Sequence, residues 1–462
     1  MTHETEWKSK TNEIHIPAED PFKNDLLKRK PCADILTNII NTESGPYVLA
    51  INTIWGGGKT TFIKMWEQHL KNEGYQTIYF NAWEVDFATD PLVAVLSEIK
   101  NRLKLNDKFL EKLKANLPEL KGVTSNVILK LLSGGALSSS DFINQSLTEK
   151  PDQIITSLLD GHEAKKKLRK NFKELLEKKI IEDSNTQNKC VFFIDELDRC
   201  KPDFAIKLLE TIKHLFDIPG MIFILSIHKE QLGHALRTVY GQNMSVDGYL
   251  RRFIDLEYKL PEPETSTFID FIANEYGLKN HLEKENGIWG DPWNEVLKLF
   301  IPMIVKEYAL TLRDIEYLLR QLTLICRTTS STSFQNLSPI FILFLTIRTH
   351  KPDLYKKCCN HEVSPRELMK PFNDFVINSP KTKEQFTTTL YIIEGILLCL
   401  LETNPPKHID EYSILKQNIT EKHPKYAISE RVTYVYNQLN TNPDFKLKNI
   451  TERIELTRPF VF

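Results

Sequence analysis

The sequence predicts an α/β protein with a parallel sheet in its first half and a mostly helical second half. An apolar run at 47–51 is followed at once by a glycine-rich turn and an amphipathic stretch, as at a strand–turn–helix junction. Two further apolar runs, at 191–194 and 221–227, supply buried strands, and 77–80 supplies another. From residue 266 to about 327, and again from 337 to 401, apolar residues recur at helical spacing.

The turn after the first strand is the most informative segment of the chain. Residues 51–61 read Ile-Asn-Thr-Ile-Trp-Gly-Gly-Gly-Lys-Thr-Thr. Glycines there let backbone N–H groups close around an anion at a helix N-terminus, where the macrodipole also favours negative charge. In such a P-loop, or Walker A motif, Lys59 reaches the β- and γ-phosphates of ATP and the Thr60 hydroxyl ligates Mg²⁺. The predicted nucleotide-binding residues are Gly56, Gly57, Gly58, Lys59, Thr60 and Thr61.

The motif departs from the pattern G-x-x-x-x-G-K-[ST] at its first position, where Thr53 replaces glycine. A β-branched residue is less suited than glycine to a tight turn, so we expect Thr53 to lower nucleotide affinity. The alternative to a nucleotide site is a glycine-rich turn with a solvated lysine.

The strand at 191–194 ends in Asp195 and Glu196 and predicts a Walker B motif. Strand tips of a parallel sheet face the crevice where ligands bind. Asp195 is then placed to hold Mg²⁺, and Glu196 to orient and deprotonate a water that attacks the γ-phosphate. Strands also end in acidic residues at ordinary surfaces, but the P-loop upstream favours the catalytic interpretation.

Other segments make the chain resemble the KAP family of P-loop NTPases. They are Trp55 within the P-loop, Phe80-Asn81-Ala82-Trp83, the 195–200 segment Asp-Glu-Leu-Asp-Arg-Cys, the leading 25–29 segment, and 249–261. The resemblance covers roughly residues 20–321. It implies an ASCE-type (RecA/AAA-like) core, with an extra strand between the Walker A and Walker B strands and a helical region behind the core. Some animal members are membrane-linked signalling proteins, and bacterial members resemble components that resist phage.

Two further positions differ from the usual family pattern. Glu196 stands where a second aspartate is frequent, and glutamate there favours hydrolysis over binding alone. His228 stands where the family often has aspartate, and it either senses the γ-phosphate or caps a strand.

Three arginines are candidates for catalysis. Arg251 and Arg252, in a predicted helix beyond the core strands, are either arginine fingers, which stabilise charge on the transferring phosphoryl group, or surface and salt-bridging residues. Arg313 resembles the sensor-2 arginine of related ATPases, or else it forms an intrahelical ion pair.

Four residues near the motifs are assigned structural roles. Asp198 and Arg199 are expected to fix the loop that leads into the helix predicted at 203–216. Trp55 and Trp83 are expected to pack in the core, as large aromatics usually do, with stacking on the nucleotide or on each other as the alternative.

Composition favours a cytoplasmic enzyme of more than one domain. The 462 residues exceed one hydrophobic core, and Lys+Arg 60 against Asp+Glu 61 gives no electrostatic case for nucleic acid. The basic stretch 165–179 reads as a solvated amphipathic helix, with contact to nucleic-acid phosphates or another subunit as the alternative.

Seven cysteines without CxxC spacing indicate reduced thiols. No run of ~20 apolar residues predicts a membrane span, and no secretory signal is recognised.

The predicted organisation has four parts: a lead at 1–45, an NTPase core at 46–262 with a helical insert at about 90–180, a helical domain at 263–402, and an appendage at 403–462. The core is expected to end at Pro261-Glu262-Pro263, because two prolines interrupt regular structure.

The sequence therefore predicts a Mg²⁺-dependent ATPase that powers or gates assembly or remodelling of a partner complex, with phage defence as its biology by family analogy. It is expected to form homo-oligomers. No nuclease, deaminase, protease or pore signature is present, so a separately encoded effector is expected to carry that activity. The alternative is a nucleotide-gated switch or scaffold with little hydrolysis.

Overall fold

The computed structural model divides into two compact units, one of Ile14–Glu262 and one of Met1–Glu13 with Pro263–Phe462. It describes residues 15–87, 91–102, 162–183, 188–215, 217–262, 264–282, 298–329, 331–377, 383–401, 437 and 446–458. Residues 103–161 of the helical insert predicted at about 90–180 lie outside the described residues.

A parallel sheet organises the first unit. Its strands pair in the order β2-β3-β4-β1-β5. The bounds are β1 Tyr47–Asn52, β2 Gln76–Asn81, β3 Cys190–Asp195, β4 Met221–Ile227 and β5 Leu256–Lys259. Because β4 lies between β1 and β3, the extra strand expected between the Walker A and Walker B strands is confirmed. The predicted α/β architecture with a parallel sheet is confirmed with it.

Burial distinguishes the central strands from the edge. Every residue of β3 and β4 is buried, as expected for parallel strands covered by helices on both faces. In contrast, β5 alternates half-buried and exposed residues and pairs only with β1 among the described strands. This short edge strand was not predicted, because its sequence, Leu-Glu-Tyr-Lys, lacks the apolar run that marks the others.

Helices cover the two faces of the sheet. They are α1 Lys30–Thr42, α2 Lys59–Asn72, α3 Pro91–Arg102, α4 His162–Asp183, α5 Pro202–Leu215, α6 Lys229–Tyr240 and α7 Val246–Leu250. Successive strand residues point to opposite faces, so Phe193 joins Trp66 and the α1–α2 side in one core cluster, whereas Phe192 joins the other. Both faces of the sheet therefore hold β3 in register.

The basic stretch in the insert lies in α4. Phe172, Leu176 and Ile180 are fully or almost fully buried at a spacing of four residues, whereas Lys170 is exposed and Lys173 is 4.0 Å from Asp217. This is the amphipathic helix that the apolar spacing predicts.

Every described element of the second unit is helical. These helices are α8 Thr265–Glu275, α9 Leu278–Leu282, α10 Ile301–Glu307, α11 Leu312–Thr328, α12 Ser331–His350, α13 Pro352–Cys359, α14 Pro365–Ile377, α15 Lys383–Leu401 and α16 Leu447–Leu456. Arg453 on α16 donates to the carbonyl of Thr328 at 3.1 Å, and Arg348 on α12 donates to the Thr457 hydroxyl at 3.1 Å. The last helix is thus attached to α11 and α12. Among the described helices, none combines the length and the apolar character that crossing a membrane requires.

Six cysteines are free thiols in the structure: Cys32, Cys190, Cys200, Cys326, Cys358 and Cys359. Burial raises the pKa of Cys190, Cys326 and Cys358 to about 12 each, so these thiols stay protonated at neutral pH. Within the described part of the chain, no cluster of three or more His, Cys, Asp or Glu residues forms a metal site of its own.

The two-faced core yields a stability prediction. Replacing the fully buried Phe192 with alanine should lower the free energy of unfolding by about 3–5 kcal/mol, because a large cavity forms under the sheet. Phe87→Ala is the matched control, since 77% of that side chain is exposed and its loss should change stability by no more than about 0.5 kcal/mol. Denaturant unfolding of the full chain measures both, and similar midpoints for the two variants would contradict the core assignment.

Candidate nucleotide-binding site

The P-loop runs from the end of β1 to the start of α2 in a conformation that needs glycine. Gly56 has φ of 71° and Gly58 has φ of 78°, in the left-handed region that residues with a Cβ rarely adopt. Gly58 is also the N-cap of α2, so the loop ends where the N–H groups of the helix are exposed for an anion.

Thr53 and Gly57 are in close approach across this loop. A Cβ added to Gly57 would lie 2.9 Å from Thr53 Oγ1 and 3.0 Å from the carbonyl oxygen of Ile54. The φ angle of Thr53 is not in the positive range. Its N–H donates to the carbonyl of Ile227 at 3.3 Å, which extends the pairing of β1 with β4. The loop therefore accommodates threonine at the first motif position without left-handed backbone. Gly57 is the residue that this contact prevents from carrying a side chain.

Lys59 is surrounded by the charges of both motifs. Its Nζ donates to the carbonyl of Thr53 at 2.7 Å. Burial lowers the pKa of Lys59, whereas the carboxylates of Asp198, Asp195 and Glu196 raise it and the Arg199 guanidinium lowers it further. Thr60 and Thr61 follow in the first turn of α2. The ammonium group is thus within electrostatic reach of the carboxylates at the end of β3.

Asp195 is fully buried, and both carboxylate oxygens accept hydrogen bonds. Oδ2 accepts from the Tyr79 hydroxyl at 3.0 Å, and Oδ1 accepts from the N–H of Glu196 at 3.0 Å. Burial, and then the charge of Asp195, raise the pKa of Tyr79 well above its usual range, so the phenol remains a donor. The sequence analysis missed Tyr79. Strand alternation was the available signal, because Tyr79 lies two residues before Asn81, which pairs with Asp195.

Glu196 has left-handed backbone, with φ of 60°, at the start of a short 3₁₀ helix, Leu197–Arg199. Its Oε1 lies 2.9 Å from Arg199 Nη1. The Arg199 guanidinium also lies 5.5 Å from the centre of the Trp83 ring. Arg199 therefore contacts the candidate base directly, which the sequence-based structural role did not anticipate.

The expectation that Trp55 and Trp83 pack in the core is wrong, since they are 40% and 51% exposed. Trp55 donates its indole N–H to Asp198 Oδ2 and meets the His228 ring edge-on, with centroids 5.8 Å apart. Polar partners at the carboxyl edge of the sheet, an aspartate for one indole and a guanidinium for the other, keep these rings at the surface.

His228 follows β4 directly and is the N-cap residue of α6, but its side chain makes no capping hydrogen bond. Its Nδ1 is buried without a partner in the described structure, as are Asp198 Oδ1 and Ser226 Oγ. Burial, and then the charge of Lys59, lower the pKa of His228, so the imidazole is neutral at pH 7. The His228 side chain therefore does not cap α6, and three polar atoms on or just after β3 and β4 lack hydrogen-bond partners.

Arg29 connects the P-loop to the rest of the first unit. Its guanidinium donates to the carbonyl of Gly58 at 3.2 Å and to that of Pro261 at 3.3 Å. Burial lowers the pKa of Arg29 to about 10, which still leaves it charged at neutral pH. Sequence reasoning singled out the 25–29 segment but not this contact, because 29 residues separate Arg29 from Gly58.

The three arginines considered for catalysis are exposed. The helix predicted over Arg251 and Arg252 ends before them, at Leu250, and both lie in the turn that follows α7. The Arg252 guanidinium lies 5.8 Å from the centre of the Tyr249 ring. Arg313 is the second residue of α11 in the second unit, next to the Thr311–Asp314 capping box.

The donor set suits magnesium and a nucleoside triphosphate. Thr60 and Asp195 offer a hydroxyl and a carboxylate oxygen, the hard ligands that Mg²⁺ prefers. The left-handed backbone of Gly56 and Gly58 gives the loop a shape in which backbone N–H groups can face an anion. The unpartnered atoms of Ser226, Asp198 and His228 also fit a polar ligand.

Residues 29–329, more than half of the 462-residue chain, match the model of the KAP family P-loop domain. The chain belongs to the KAP family. The family predicted from the motifs is thus confirmed, and with it a P-loop NTPase that binds nucleotide. Among solved structures, the chain is similar to the crystal structure of Cdc6p from Pyrobaculum aerophilum, at 12% sequence identity and a TM-score of 0.27, over 97% of this chain and 88% of that chain. No match to a curated protein was found.

The close approach at Gly57 yields a binding prediction. Gly57→Ala should weaken ATP binding by about tenfold or more, a loss of about 1.4 kcal/mol, because the new methyl group displaces the loop. Adding Thr53→Gly removes the nearer contact and should restore part of the affinity, with the Ile54 carbonyl still close. Titration of a fluorescent ATP analogue measures this, and equal affinity of wild type and Gly57→Ala would contradict the loop geometry.

The hydrogen bond from Tyr79 yields a prediction for the metal. Tyr79→Phe should raise the Mg²⁺ concentration needed for half-maximal ATP binding by about 10–100-fold, the usual effect of losing a group that orients a ligand. Tyr240→Phe is the control, because it removes a hydroxyl that is hydrogen-bonded to the Tyr249 hydroxyl instead of to Asp195. An unchanged Mg²⁺ requirement in Tyr79→Phe would remove Tyr79 from the site.

Proposed function

We propose that this KAP protein binds ATP with Mg²⁺ and hydrolyses it. The observation that carries the proposal is the position of Lys59 within electrostatic reach of both Asp195 and Glu196. A cation at a helix N-terminus and two carboxylates at the end of β3 are the groups that phosphoryl transfer to water requires.

Each residue has a separate role in this proposal. Gly56, Gly57 and Gly58 direct backbone N–H groups to the phosphates, and Lys59 moves from the Thr53 carbonyl to the β- and γ-phosphates. Thr60 and Asp195 would hold Mg²⁺, which neutralises phosphate charge when bound. Glu196 accepts the proton of the attacking water.

The exposed arginines favour action between copies of the chain. An arginine finger supplied by a neighbouring molecule raises phosphoryl-transfer rates by roughly 10³–10⁵. Arg251 and Arg252 lie on an exposed turn and are suited to that role in a homo-oligomer. Arg313, in the helical second unit, is proposed to transmit the nucleotide state.

Hydrolysis is proposed to power or gate the assembly or remodelling of a partner complex in the cytoplasm. Family analogy favours anti-phage defence, together with a separately encoded effector, since no motif for a killing activity was found in the sequence. Finding that the purified chain alone degrades nucleic acid would contradict the separate effector.

A nucleotide-gated switch with little hydrolysis is the second candidate. The ion pair between Glu196 and Arg199 favours it, because a base that is engaged by a guanidinium is not available to a water. Glu196→Gln discriminates the two: a switch keeps its biological activity when hydrolysis is blocked, and a remodelling ATPase loses it.

Steady-state phosphate release tests the proposal. Wild type should release phosphate from ATP in a Mg²⁺-dependent reaction, and both Lys59→Ala and Glu196→Gln should reduce the rate by about 100-fold or more, as expected for loss of a phosphate ligand or a general base. GTP is measured beside ATP to establish which nucleotide is preferred, and oligomer mass is followed in the same samples.

Lys71→Ala is the matched control, since Lys71 lies in the last turn of the same helix and pairs with Glu67 at 2.7 Å. It should leave turnover within about twofold of wild type, because about 18 Å of helix separates Lys71 from Lys59. Turnover that survives in both Lys59→Ala and Glu196→Gln would contradict the proposed site.

A further inference from the structure

Arg199 lies between the candidate base and an exposed tryptophan. Its Nη1 is 2.9 Å from Glu196 Oε1, and its guanidinium carbon is 5.5 Å from the centre of the Trp83 ring. The N–H of Arg199 also donates to the carbonyl of Glu196 at 3.0 Å, which closes the 3₁₀ turn and brings the two side chains together. The arrangement rests on the left-handed backbone of Glu196.

This contact has a consequence for proton transfer. A carboxylate that accepts a charge-assisted hydrogen bond from a guanidinium directs an oxygen to the arginine. Side-chain exposures of 16% for Glu196 and 27% for Arg199 limit screening by solvent. The same carboxylate cannot hold a water in line for attack while it is drawn towards Arg199.

We propose that Arg199 is a positioning residue that restrains Glu196, and that turnover requires this ion pair to open. The inference rests on the proposed function, in which Glu196 is the general base. It assigns to Arg199 a role in setting the rate of hydrolysis, beyond supporting the loop that leads into α5.

Trp83 strengthens the restraint. The backbone N–H of Trp83 donates to Asn81 Oδ1 at 3.2 Å, and the side-chain amide of Asn81 donates to Glu84 Oε1 at 2.8 Å. The end of β2 therefore fixes the backbone that carries the ring. A guanidinium over an indole face is stabilised by a cation–π interaction, and tryptophan is the best partner for it. Opening of the Glu196–Arg199 pair therefore also requires Arg199 to leave Trp83 or to rotate above it.

ATP supplies a reason for the pair to open. The Arg199 charge acts on Lys59, the residue assigned to the β- and γ-phosphates, so the guanidinium lies within electrostatic reach of the phosphate end of the site. Phosphate oxygens compete well with a carboxylate for arginine. Binding of a triphosphate should therefore loosen Arg199 from Glu196 more than binding of a diphosphate.

Turnover and ATP affinity of Arg199 and Trp83 variants test the restraint in the full chain. Arg199→Ala should raise kcat by about fivefold, because the ion pair no longer has to open before each turnover, while the Kd for ATP stays within about twofold. Arg199→Lys keeps the charge but loses the planar fork, so its kcat should fall between those of wild type and Arg199→Ala. Trp83→Ala should also raise kcat, and Trp83→Phe, which keeps a ring, should raise it less.

The control is Arg102→Ala, because Arg102 pairs with Glu98 at 3.1 Å on α3 and the same side chain is lost from the same kind of pair. Its kcat should equal that of wild type. A merely structural role for Arg199 predicts a lower kcat, a weaker Kd or a lower melting temperature, and it does not predict a faster enzyme with unchanged affinity.

The outcomes separate this inference from the proposed function. If Arg199→Ala binds ATP but turns over at or below the wild-type rate, including no turnover in either protein, the restraint is overturned. If Arg199→Ala does not fold, equal or lower kcat in both Arg199→Lys and Trp83→Ala overturns it. If Glu196→Gln leaves turnover unchanged, the proposed function fails instead, whatever Arg199→Ala does.

Discussion

The parallel pairing of β4 with both β1 and β3 is the constraint on which the candidate site depends. Because all three strands run in one direction, their carboxyl ends reach the same edge of the sheet. That edge brings the P-loop after β1 and the carboxylates after β3 together, although more than 100 residues separate them in sequence. Core clusters on both faces hold the register, since Phe192 and Phe193 pack on opposite sides.

Hydrogen bonds with neutral groups explain how this edge tolerates so many ionised side chains. Desolvation disfavours a buried charge unless a partner or hydrogen bonds compensate it. Asp195 accepts from Tyr79, Asp198 accepts from Trp55, and the Arg29 guanidinium donates to Gly58. These contacts fix the P-loop and the end of β3 from both sides. Unpartnered atoms at Ser226, Asp198 and His228 leave the site incompletely satisfied, as expected where a polar ligand binds.

The strands β1 to β4 and the two motifs were predictable because they are local patterns of apolar runs, glycines and charges. The hydrogen bonds from Tyr79 to Asp195, from Arg29 to Gly58 and from Trp55 to Asp198 were not, because each joins residues far apart in sequence and depends on strand register. Thr53 shows the converse case. Sequence reasoning located the unusual residue, but only the fold shows that its close neighbour is Gly57. The exposure of Trp55 and Trp83 likewise follows from polar partners and not from their hydrophobicity.

The most direct test of the account is calorimetric titration of the full chain with ATP, with and without Mg²⁺, beside Lys59→Ala and Asp195→Asn. If the ends of β1 and β3 form one site, wild type should bind one ATP per chain and bind it more tightly with Mg²⁺. Lys59→Ala should then lose binding, and Asp195→Asn should retain binding but lose the Mg²⁺ dependence. Equal, Mg²⁺-sensitive binding by all three proteins would contradict a shared site at this edge of the sheet.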